Sequence, residues 1–564
     1  MQRKQLTLVI VSLLVVVLSV SLAWFTTQII GKGKDVSVTS ANLQIVFTDS
    51  DGALTETDIE PGWSATKTFT IKNDTKTEYK YNIVIKDLVN TFVTEEYLQY
   101  KITSTNGGYN MTEFKDIPKS SIATDTILAY SVSIPVGVTQ SYTIEFKYAN
   151  DESVDQSDDM GKKLSGTLFI TEGTEQPTLL SQILKDNPTR SVRTDFSEPF
   201  TTNTANTLYK ATENGIDVYY FAGVENIEEG CEYSGQKITD YSSNKLNENT
   251  CSGEIEVCHT DNNEYLYFGT SSCNGFDGSV EKIQVLWTSG VEKPLNNWVK
   301  FGKNSSNQDL YWRIIRTNSD GSIRLLYHGI STTATDAYIG ESQFNKIFND
   351  SMYVGYMYGT SGSQESNRTN ANNSTIKTVI DNWYASNMTS YTKYLSTTAV
   401  YCNDREVGSG TYSATGSIFY YAPYARVYTS YAPTYDCTNN NDKFTVDAST
   451  GNGKLTYPIA LMTADEIAYA GGATSKKAPM WYYTNSSFES STGLTEWWSL
   501  SPFNWDVSGA SSWRVFGKGS LSGFGVNYSR SVRPVVSLKS CIKYSTGNGT
   551  SETPYEIVET SSGC

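Results

Sequence analysis

Histidine is almost missing from this chain of 564 residues, which contains only His259 and His328 and no H-E-x-x-H sequence. Histidine is the commonest metal ligand and the usual general base near neutral pH, and zinc proteases of that motif need two on one helix. The sequence therefore disfavours histidine-based catalysis and metal binding. The 38% of hydrophobic and 18% of charged residues are typical of a folded chain.

Positive charge is scarce as well, with 44 Lys and Arg against 60 Asp and Glu, a formal charge of −16. A nucleic-acid partner is excluded because binding to phosphates needs a basic surface. Long hydrophobic runs are missing except at the start, where Arg3 and Lys4 precede the apolar residues 6–23. Residues 1–27 are predicted as a secretory signal peptide, although the run is also long enough to remain as an anchor. We expect a secreted or cell-surface protein, with membrane contact only if the signal is retained.

Cysteine does not occur before residue 231, and the eight that follow are even in number. An even count in an exported chain predicts disulfides. The first four have spacings of 20, 7 and 15, which do not match the close pairs of a zinc site, and three pairings remain open among them. Proximity along the chain predicts Cys402–Cys437 and Cys541–Cys564. The cysteines predicted as disulfides are Cys231, Cys251, Cys258, Cys273, Cys402, Cys437, Cys541 and Cys564.

Residues 35–172 alternate polar and apolar side chains in short runs that are separated by turn residues. Phe69 and Ile71, for example, alternate with Thr70 and Lys72, as in a strand with one buried face. Seven such runs predict an all-β sandwich. They are VSVTSANLQIVF, ATKTFTIKN, YKYNIVIKDLV, LQYKITS, ILAYSVSIPVGV, SYTIEFKYA and KLSGTLFITE.

Several segments of residues 1–172 resemble the TasA/camelysin family of exported proteins of Gram-positive bacteria. The resemblance rests on SLAWFT at the end of the signal, ANLQIVF, IEPGWSATKTFTIKN, GVTQSYTIEFKYAN and GKKLSGTLFIT. It implies export, a jelly-roll-like sandwich and assembly into surface or biofilm fibres. The protease activity described for camelysins is not supported, because this region has no histidine.

Beyond the sandwich, residues 173–205 are predicted as a linker with a short helix, which contains Leu179, Leu180, Ile183 and Leu184 at helical spacing. Residues 206–560 are predicted as one α+β domain with a cysteine-rich insert at 225–294. Asp320-Gly321 predicts a hairpin.

Two further helices are predicted in this domain. One has Ile376, Val379, Ile380 and Trp383 on one face. The other starts with a capping box of Thr463 and Glu466 and ends at Gly471-Gly472.

The segments YWRIIR, DGSIRLLY, YPIALMTADE, WSLSP and SVRPVVSL resemble a large group of exported bacterial domains of unknown function. That group is related to the C-type-lectin-like fold of formylglycine-generating enzymes and of retroelement variable proteins. In the variable proteins, residues between such framing strands form the ligand surface. The resemblance implies that residues 504–528 occupy this position. The chain departs from the pattern by continuing for about 26 residues past Leu538.

Residues 497–528 mix aromatic side chains with Ser, Gly and Asn and contain no His or Cys. That mixture is typical of binding loops, whereas catalysis needs a nucleophile, a base and an orienting partner. Trp498, Trp513 and Phe516 are predicted in the core. The remaining polar and aromatic side chains are predicted either to form a ligand-binding face or only to cover a rim of the domain. The predicted ligand-binding residues are Asn504, Trp505, Asp506, Ser508, Ser511, Ser512, Phe524, Asn527 and Tyr528.

Other residues that often mark active sites have structural explanations in this sequence. His328 follows a strand and is predicted to be partly buried, Arg533 to donate to carbonyl groups or to an internal carboxylate, and Glu466 to cap a helix. The lectin calcium tripeptides E-P-N, Q-P-D and W-N-D are absent. We therefore predict no cofactor, no metal and no catalysis.

The sequence predicts an exported adhesin or ligand-binding protein that recognises a protein or glycan outside the cell. A fibre or biofilm-matrix subunit that self-assembles through the β-sandwich is the alternative. A hydrolase or oxidase on the lectin-like fold is the third hypothesis.

Overall fold

The structure is a computed structural model, and it describes only part of the chain. Residues 60–564 are described with gaps, whereas within 1–59 and 225–294 only the backbone of short strands is. The signal peptide, the cysteine-rich cluster and His259 therefore lie outside what is described. The remaining gaps are 94–96, 160, 202–205, 334–336, 475–479, 483–495 and 517–518.

The protein is β-rich, with 40% of its residues in strands and 14% in helices. It divides into two compact units, Met1–Pro177 and Thr178–Cys564. This agrees with the prediction of a multidomain β-rich chain. Among the described residues, no helix is long and apolar enough to cross a membrane.

The first unit consists of two antiparallel-rich sheets. Their orders are β4-β1-β11-β6-β9 and β2-β3-β5-β10-β7-β8. The strands are β1 Thr26–Ile30, β2 Val36–Ser40, β3 Leu43–Asp49, β4 Ala53–Glu56, β5 Ser64–Asn73, β6 Tyr79–Asn90, β7 Leu98–Ser104, β8 Lys115–Asp116, β9 Ser120–Ile134, β10 Thr139–Tyr148 and β11 Lys163–Glu172, with a 3-10 turn at Ser157–Asp159.

Both sheets of the first unit contribute to one hydrophobic core. Phe69 and Ile71 of β5 are buried with Ile83 and Ile85 of β6. Thr70 and Lys72, which alternate with Phe69 and Ile71 along β5, face outward. All seven predicted runs contain a strand. The prediction of strands with one buried face is confirmed here because period-two alternation fixes the buried side without reference to distant residues.

The second unit begins with a helix that the sequence placed in a linker. Leu179 and Ile183 of α1 are buried in the core of this unit, so the helix belongs to the unit rather than to a connection. The helices are α1 Leu179–Asp186, α2 Gln364–Asn367, α3 Thr375–Asn387, α4 Ala422–Tyr424 and α5 Ala464–Tyr469, with 3-10 turns at Ser351–Val354, Thr389–Tyr394 and Asn440–Asp442 and a π-helical turn at Ala425–Thr429.

Strands of the second unit form two larger sheets and several short pairs. The strands are β12 Thr189–Ser191, β13 Thr207–Glu213, β14 Ile216–Tyr220, β15 Glu232–Tyr233, β16 Gln236–Lys237, β17 Glu254–Thr260, β18 Asn263–Leu266, β19 Val280–Gln284, β20 Trp298–Lys303, β21 Asp309–Thr317, β22 Ile323–Gly329, β23 Glu341–Gln343, β24 Met357–Tyr358, β25 Asn372–Asn373, β26 Tyr401–Cys402, β27 Val407–Gly410, β28 Phe419–Tyr421, β29 Lys443–Phe444, β30 Ile459–Leu461, β31 Trp497–Trp505, β32 Ala510–Phe516, β33 Ser520–Gly525, β34 Ser529–Ser531, β35 Pro534–Leu538 and β36 Tyr555–Glu556.

The larger sheet has the order β12-β13-β14-β21-β22-β35-β30, with β20 beside β21 and β36 beside β20. The second has the order β23-β34-β31-β28-β27, with β32 on β31 and β33 on β32. Trp312 and Val535 of the first sheet share one core with Trp497 and Trp498 of the second. This core fixes the sheet that carries the predicted ligand-binding residues.

Local predictions for the second unit are confirmed at several positions. The predicted hairpin joins β21 and β22, and Gly321 has φ +77°. Thr463 and Glu466 form a reciprocal capping box at the start of α5. The disulfides Cys402–Cys437 and Cys541–Cys564 are both present.

Candidate ligand-binding surface

The nine predicted ligand-binding residues lie on β31, β32, β33 and their connections, but three of them are buried. Trp505 is 1% exposed, Ser512 0% and Asn504 8%. Trp505 pairs with Phe419 and Ala510 across the sheet, and all three side chains are in the core. The expectation that Trp505, Ser512 and Asn504 lie on the surface is therefore wrong. The Gly- and Ser-rich stretch forms paired strands rather than loops, and strand alternation turns Trp505 and Ser512 toward the core. Asn504 lies on the opposite face, where it pairs with Tyr420 and Ser511.

Two of the exposed predicted residues close the turn between β31 and β32. The carboxylate of Asp506 accepts hydrogen bonds from the Ser508 N–H at 2.9 Å, the Ser508 hydroxyl at 2.6 Å and the Gly509 N–H at 2.9 Å. Val507, at the tip, is 53% exposed and has φ +67°. Asp506 and Ser508 thus have a local structural role in the turn.

Phe524 lies between two guanidinium groups. Its ring centroid is 3.7 Å from Arg514 Cζ and 4.3 Å from Arg530 Cζ, and both arginines form ion pairs with Glu496. Burial, followed by the charge of Arg530, lowers the pKa of Arg514 to about 10. The exposed ring of Tyr528 packs 4.8 Å from Phe524. The half-buried Phe524 ring is therefore in contact with Arg514, Arg530 and Tyr528.

The predicted residues do not converge on one surface. Ser511 pairs with Gly525, whereas its neighbour Ser512 pairs with Phe524. Directly opposed residues share one face of a sheet and successive residues alternate, so Ser511 and Phe524 lie on opposite faces. Asn527 follows Phe524 by three residues and accepts a hydrogen bond at its carbonyl from the Gln343 amide at 2.6 Å.

The face that carries Ser511 also holds a continuous row of residues across five strands. Ser409 of β27 pairs with Tyr420 of β28, Tyr420 with Asn504, Asn504 with Ser511, and Ser511 with Gly525. The row consists of small and uncharged side chains apart from Tyr420. Ser409 at one end of the row is exposed, Tyr420, Ser511 and Gly525 are half-buried, and Asn504 is buried.

Aromatic rings lie beside this row. Phe503 packs edge-on against Trp513 at 4.7 Å and lies 5.2 Å from Tyr424. Tyr420 and Tyr424 are stacked at 4.1 Å, and Tyr424 and Tyr428 at 5.0 Å. We call Tyr420, Tyr424, Tyr428 and Phe503, with Trp513 buried beneath them, the aromatic face.

The tyrosine column arises from local sequence. Pro423 occupies the first turn of α4, where its fixed φ is favourable, and the chain continues into the π-helical turn Ala425–Thr429. A π turn is rare and is often found at functional sites. Tyr420, Tyr424 and Tyr428 recur every fourth residue, and this spacing is the signal in FYYAPYARVYTSY that could have revealed the column.

Gly523 makes room for the ring of Phe503. A Cβ atom at residue 523 would lie 2.2 Å from Phe503 Cδ1, far closer than two carbon atoms can approach. The bare backbone of β33 is thus required for Phe503 to lie against Trp513.

Two hydrogen-bonding atoms beneath the aromatic face have no partner among the described residues. Asn504 Oδ1 and Trp513 Nε1 are buried without a hydrogen bond. Tyr428 is 45% exposed, and Tyr420 and Tyr424 are half-buried. Burial, followed by the neighbouring phenols, raises the pKa of Tyr424, so its hydroxyl stays neutral. The face combines apolar rings with neutral donors and acceptors.

Behind the aromatic face lies a cavity of about 20 Å³ lined mainly by charged residues. A cavity of this size holds about one water molecule. Three of its four carboxylates are paired with arginine: Glu466 with Arg316 and Arg324, and Asp404 and Asp465 with Arg426. The fourth, Asp436, accepts a hydrogen bond from the Asn214 N–H at 2.6 Å. The lining residues are Arg316, Arg324, Val400, Cys402, Asp404, Arg426, Thr434, Tyr435, Asp436, Thr463, Asp465, Glu466 and Ser501.

His328 and Arg533 lie in the core of the second unit. His328 is 4% exposed, and its ring centroid is 4.2 Å from that of Trp298. Burial, followed by the charges of Arg533 and Arg313, lowers its pKa well below the usual value. Arg533 donates to the carbonyl groups of Tyr327, at 2.7 Å, and Tyr482. The prediction that Arg533 satisfies carbonyl groups is confirmed.

Comparison with known proteins gives little guidance. No family model and no curated protein matches the chain. A solved structure described as "AvmM Catalyzes Macrocyclization in Alchivemycin A Biosynthesis" is 10% identical, with a TM-score of 0.14, and covers 26% of this chain and 98% of that chain. A TM-score this low carries no argument about fold or function.

Proposed function

We propose that this protein is an exported, non-catalytic ligand-binding protein or adhesin that recognises a protein or glycan through the aromatic face. The observation that carries the proposal is the tyrosine column beside Phe503, in which Tyr428 is exposed and the other two rings are half-buried. Rigid aromatic side chains with neutral hydrogen-bonding groups supply contact area at low entropic cost.

The charges around the surface favour a neutral ligand. Arg426, which lies between Tyr424 and Tyr428 in sequence, pairs with Asp404 and Asp465 behind the face. The row from Ser409 to Gly525 carries no ionisable group other than the phenol of Tyr420. A charged ligand would lose hydration here without gaining a partner.

The arrangement of acids supports binding rather than catalysis. The carboxylates that line the cavity and are closest to the aromatic face are held by arginines, and a cavity of about 20 Å³ has room for about one water molecule but not for a substrate beside them. The signal-like start of the chain and the two disulfides support an extracellular location. We also propose a C-type-lectin-like fold for the second unit and a TasA-like fold for the first.

A binding experiment with two variants tests the function and its location. Glycan arrays and arrays of extracellular proteins are probed with the signal-less protein, and each hit is titrated with Tyr424→Ala/Tyr428→Ala and with Tyr528→Ala. We expect the double variant to weaken binding at least about tenfold, because buried aromatic contacts carry much of the free energy of recognition. Tyr528→Ala is the matched control, since Tyr528 is equally exposed but lies by Phe524. Loss of binding in Tyr528→Ala alone would contradict the proposed face.

A fibre or matrix subunit is the second candidate, favoured by the position of β1. This first strand lies inside its sheet, parallel to β11 and antiparallel to β4. A terminal strand in that position can be exchanged between copies. Electron microscopy compares a version that starts at Thr26, and so keeps β1, with one that starts after Ile30. Filaments formed only by the version with β1 would favour assembly, whereas the same state in both versions would refute it.

A further inference from the structure

We propose that Arg426 is the positioning residue of the aromatic face, because its two ion pairs hold the turn that carries Tyr424 and Tyr428 against the sheet. The inference deepens the proposed function. Only one of its consequences, that ligand binding depends on Arg426, rests on that function. Its structural part can be tested without any ligand.

Arg426 makes a two-pronged contact with one carboxylate and a single contact with another. Its Nε and Nη2 donate to the two oxygens of Asp465 at 2.8 and 2.9 Å, and its Nη1 donates to Asp404 Oδ2 at 2.7 Å. A bidentate guanidinium–carboxylate pair fixes orientation as well as distance. The side chain is 21% exposed, so the pairs are well shielded from water.

The two carboxylates belong to elements that are fixed elsewhere. Asp465 is the second residue of α5, which is buried in the core. Asp465 Oδ1 also accepts a hydrogen bond from the Thr434 N–H at 3.1 Å. One carboxylate thus holds both the start and the end of the segment 426–434.

Asp404 ties the same segment to a covalent link. It follows Cys402 by two residues, and Cys402 is bonded to Cys437, three residues past Thr434. The Asp404 Oδ1 atom accepts from the Glu406 N–H at 3.1 Å. The segment 426–437 is therefore closed by the disulfide at one end and by Arg426 at the other.

Few hydrogen bonds within the turn itself stabilise its conformation. Its irregular backbone is closed by the Ser430 N–H donating to the Ala425 carbonyl at 2.8 Å and the Ala432 N–H donating to the Arg426 carbonyl at 2.9 Å. Tyr431 follows with φ +51°, which is unfavourable for a bulky side chain. A π turn with such a neighbour needs tertiary contacts to persist.

Electrostatics make Arg426 hard to replace. Burial acts to lower the pKa of Arg426, but the charges of Asp465 and Asp404 overcome it and raise that pKa. Burial raises the pKa of Asp404, and Arg426 opposes this effect. Without Arg426, Asp404 and Asp465 would both lose their ion pair with it, which favours movement of the turn.

Amide hydrogen exchange measured by mass spectrometry tests the structural part. We compare peptides covering residues 420–436 in the full-length signal-less protein, Arg426→Gln and Arg426→Lys. The loss of charge-assisted hydrogen bonds predicts about ten- to hundredfold faster exchange in Arg426→Gln. We expect a smaller increase in Arg426→Lys, because lysine keeps the charge but cannot make the bidentate contact.

Arg368→Gln is the matched control. Arg368 is also buried beside two carboxylates, pairing with Glu406 at 2.9 Å and Asp442 at 3.3 Å. Its loss should raise exchange near residues 368, 406 and 442. Because the Ala422 N–H donates to the Glu406 carbonyl at 2.7 Å, the control is read over residues 424–436, where exchange should stay within about twofold of wild type. Faster exchange in 424–436 confined to the Arg426 variants supports positioning.

Two results would overturn the proposal. One is unchanged exchange of 420–436 in Arg426→Gln. The other is an equal rise throughout the second unit, which would show a general loss of stability. If Arg426→Gln does not fold, Arg426→Lys decides alone by the same criterion. The function fails separately, if exchange responds as expected while Tyr424→Ala/Tyr428→Ala leaves binding intact.

Discussion

Replacing Glu466 with Gln would remove one charge from a buried cluster of ions. The Glu466 side chain is 1% exposed, and its Oε1 accepts from Arg316 Nε at 2.9 Å and Arg324 Nη1 at 2.6 Å. Its Oε2 accepts from the Thr463 N–H at 2.9 Å. A glutamine has only one acceptor oxygen, so its NH₂ group would face either the guanidiniums or the Thr463 N–H.

The structure sets the expected magnitude. Breaking a buried ion pair by removing one partner costs about 3–5 kcal/mol, and loss of an N-terminal cap costs about 1 kcal/mol. We expect the free energy of unfolding of the second unit to fall by about 4 kcal/mol. The pair of Lys210 with Asp217 is the comparison, since its side chains are 42% and 51% exposed and such pairs contribute about 1 kcal/mol or less.

Urea unfolding followed by tryptophan fluorescence measures the effect. Of the 11 tryptophans, only Trp24 and Trp63 precede residue 178, so the signal reports mainly on the second unit. We expect Glu466→Gln to lower the urea midpoint by about 1 M or more, and Asp217→Asn by a few tenths of that. Equal midpoints for the two variants would refute the reasoning.

Three further outcomes follow from the same structure. Gly523→Ala should push the ring of Phe503 off Trp513 and cost about 1–3 kcal/mol, read as a lower urea midpoint; an unchanged midpoint would contradict the close packing. Burial acts to raise the pKa of Glu213, but the charge of Arg316 lowers it to about 2. Ionised Glu213 therefore contributes about 3 kcal/mol to the free energy of unfolding, and this contribution is complete above pH 4.5 and lost as the pH falls toward 2. Glu213→Gln should flatten the dependence of the free energy of unfolding on pH between these values. Replacing the cysteines of the 35-residue link Cys402–Cys437 with Ser should cost about 3–4 kcal/mol and speed exchange in 420–436, and no change would show that the loop is held without it.

Elements that depend on local pattern could be read from the sequence. The seven runs of the first unit became strands because alternation alone sets which side is buried, as for Phe69 and Ile71. The capping box of Thr463 and Glu466 is likewise a four-residue signal. Both require no knowledge of distant residues.

The candidate site could not be read in this way, because its geometry depends on long-range pairing. Trp505 is buried since it faces Phe419, which lies 86 residues earlier in the chain, and nothing in the local Gly and Ser context reveals this. The tyrosine column was visible as a spacing, but the π turn and its anchor at Arg426 involve Asp404 and Asp465, which are remote in sequence.

The tip of the hairpin between β31 and β32 has a practical consequence. Val507 has a backbone conformation that β-branched residues rarely adopt, and its side chain projects into solvent. Glycine or asparagine at residue 507 would relieve that cost. A short insertion of Gly, Asn and one Cys at this tip would therefore provide a site for attaching a spin label or dye. A probe at this tip would lie two residues from Trp505 and could report ligand binding without replacing any tyrosine of the aromatic face.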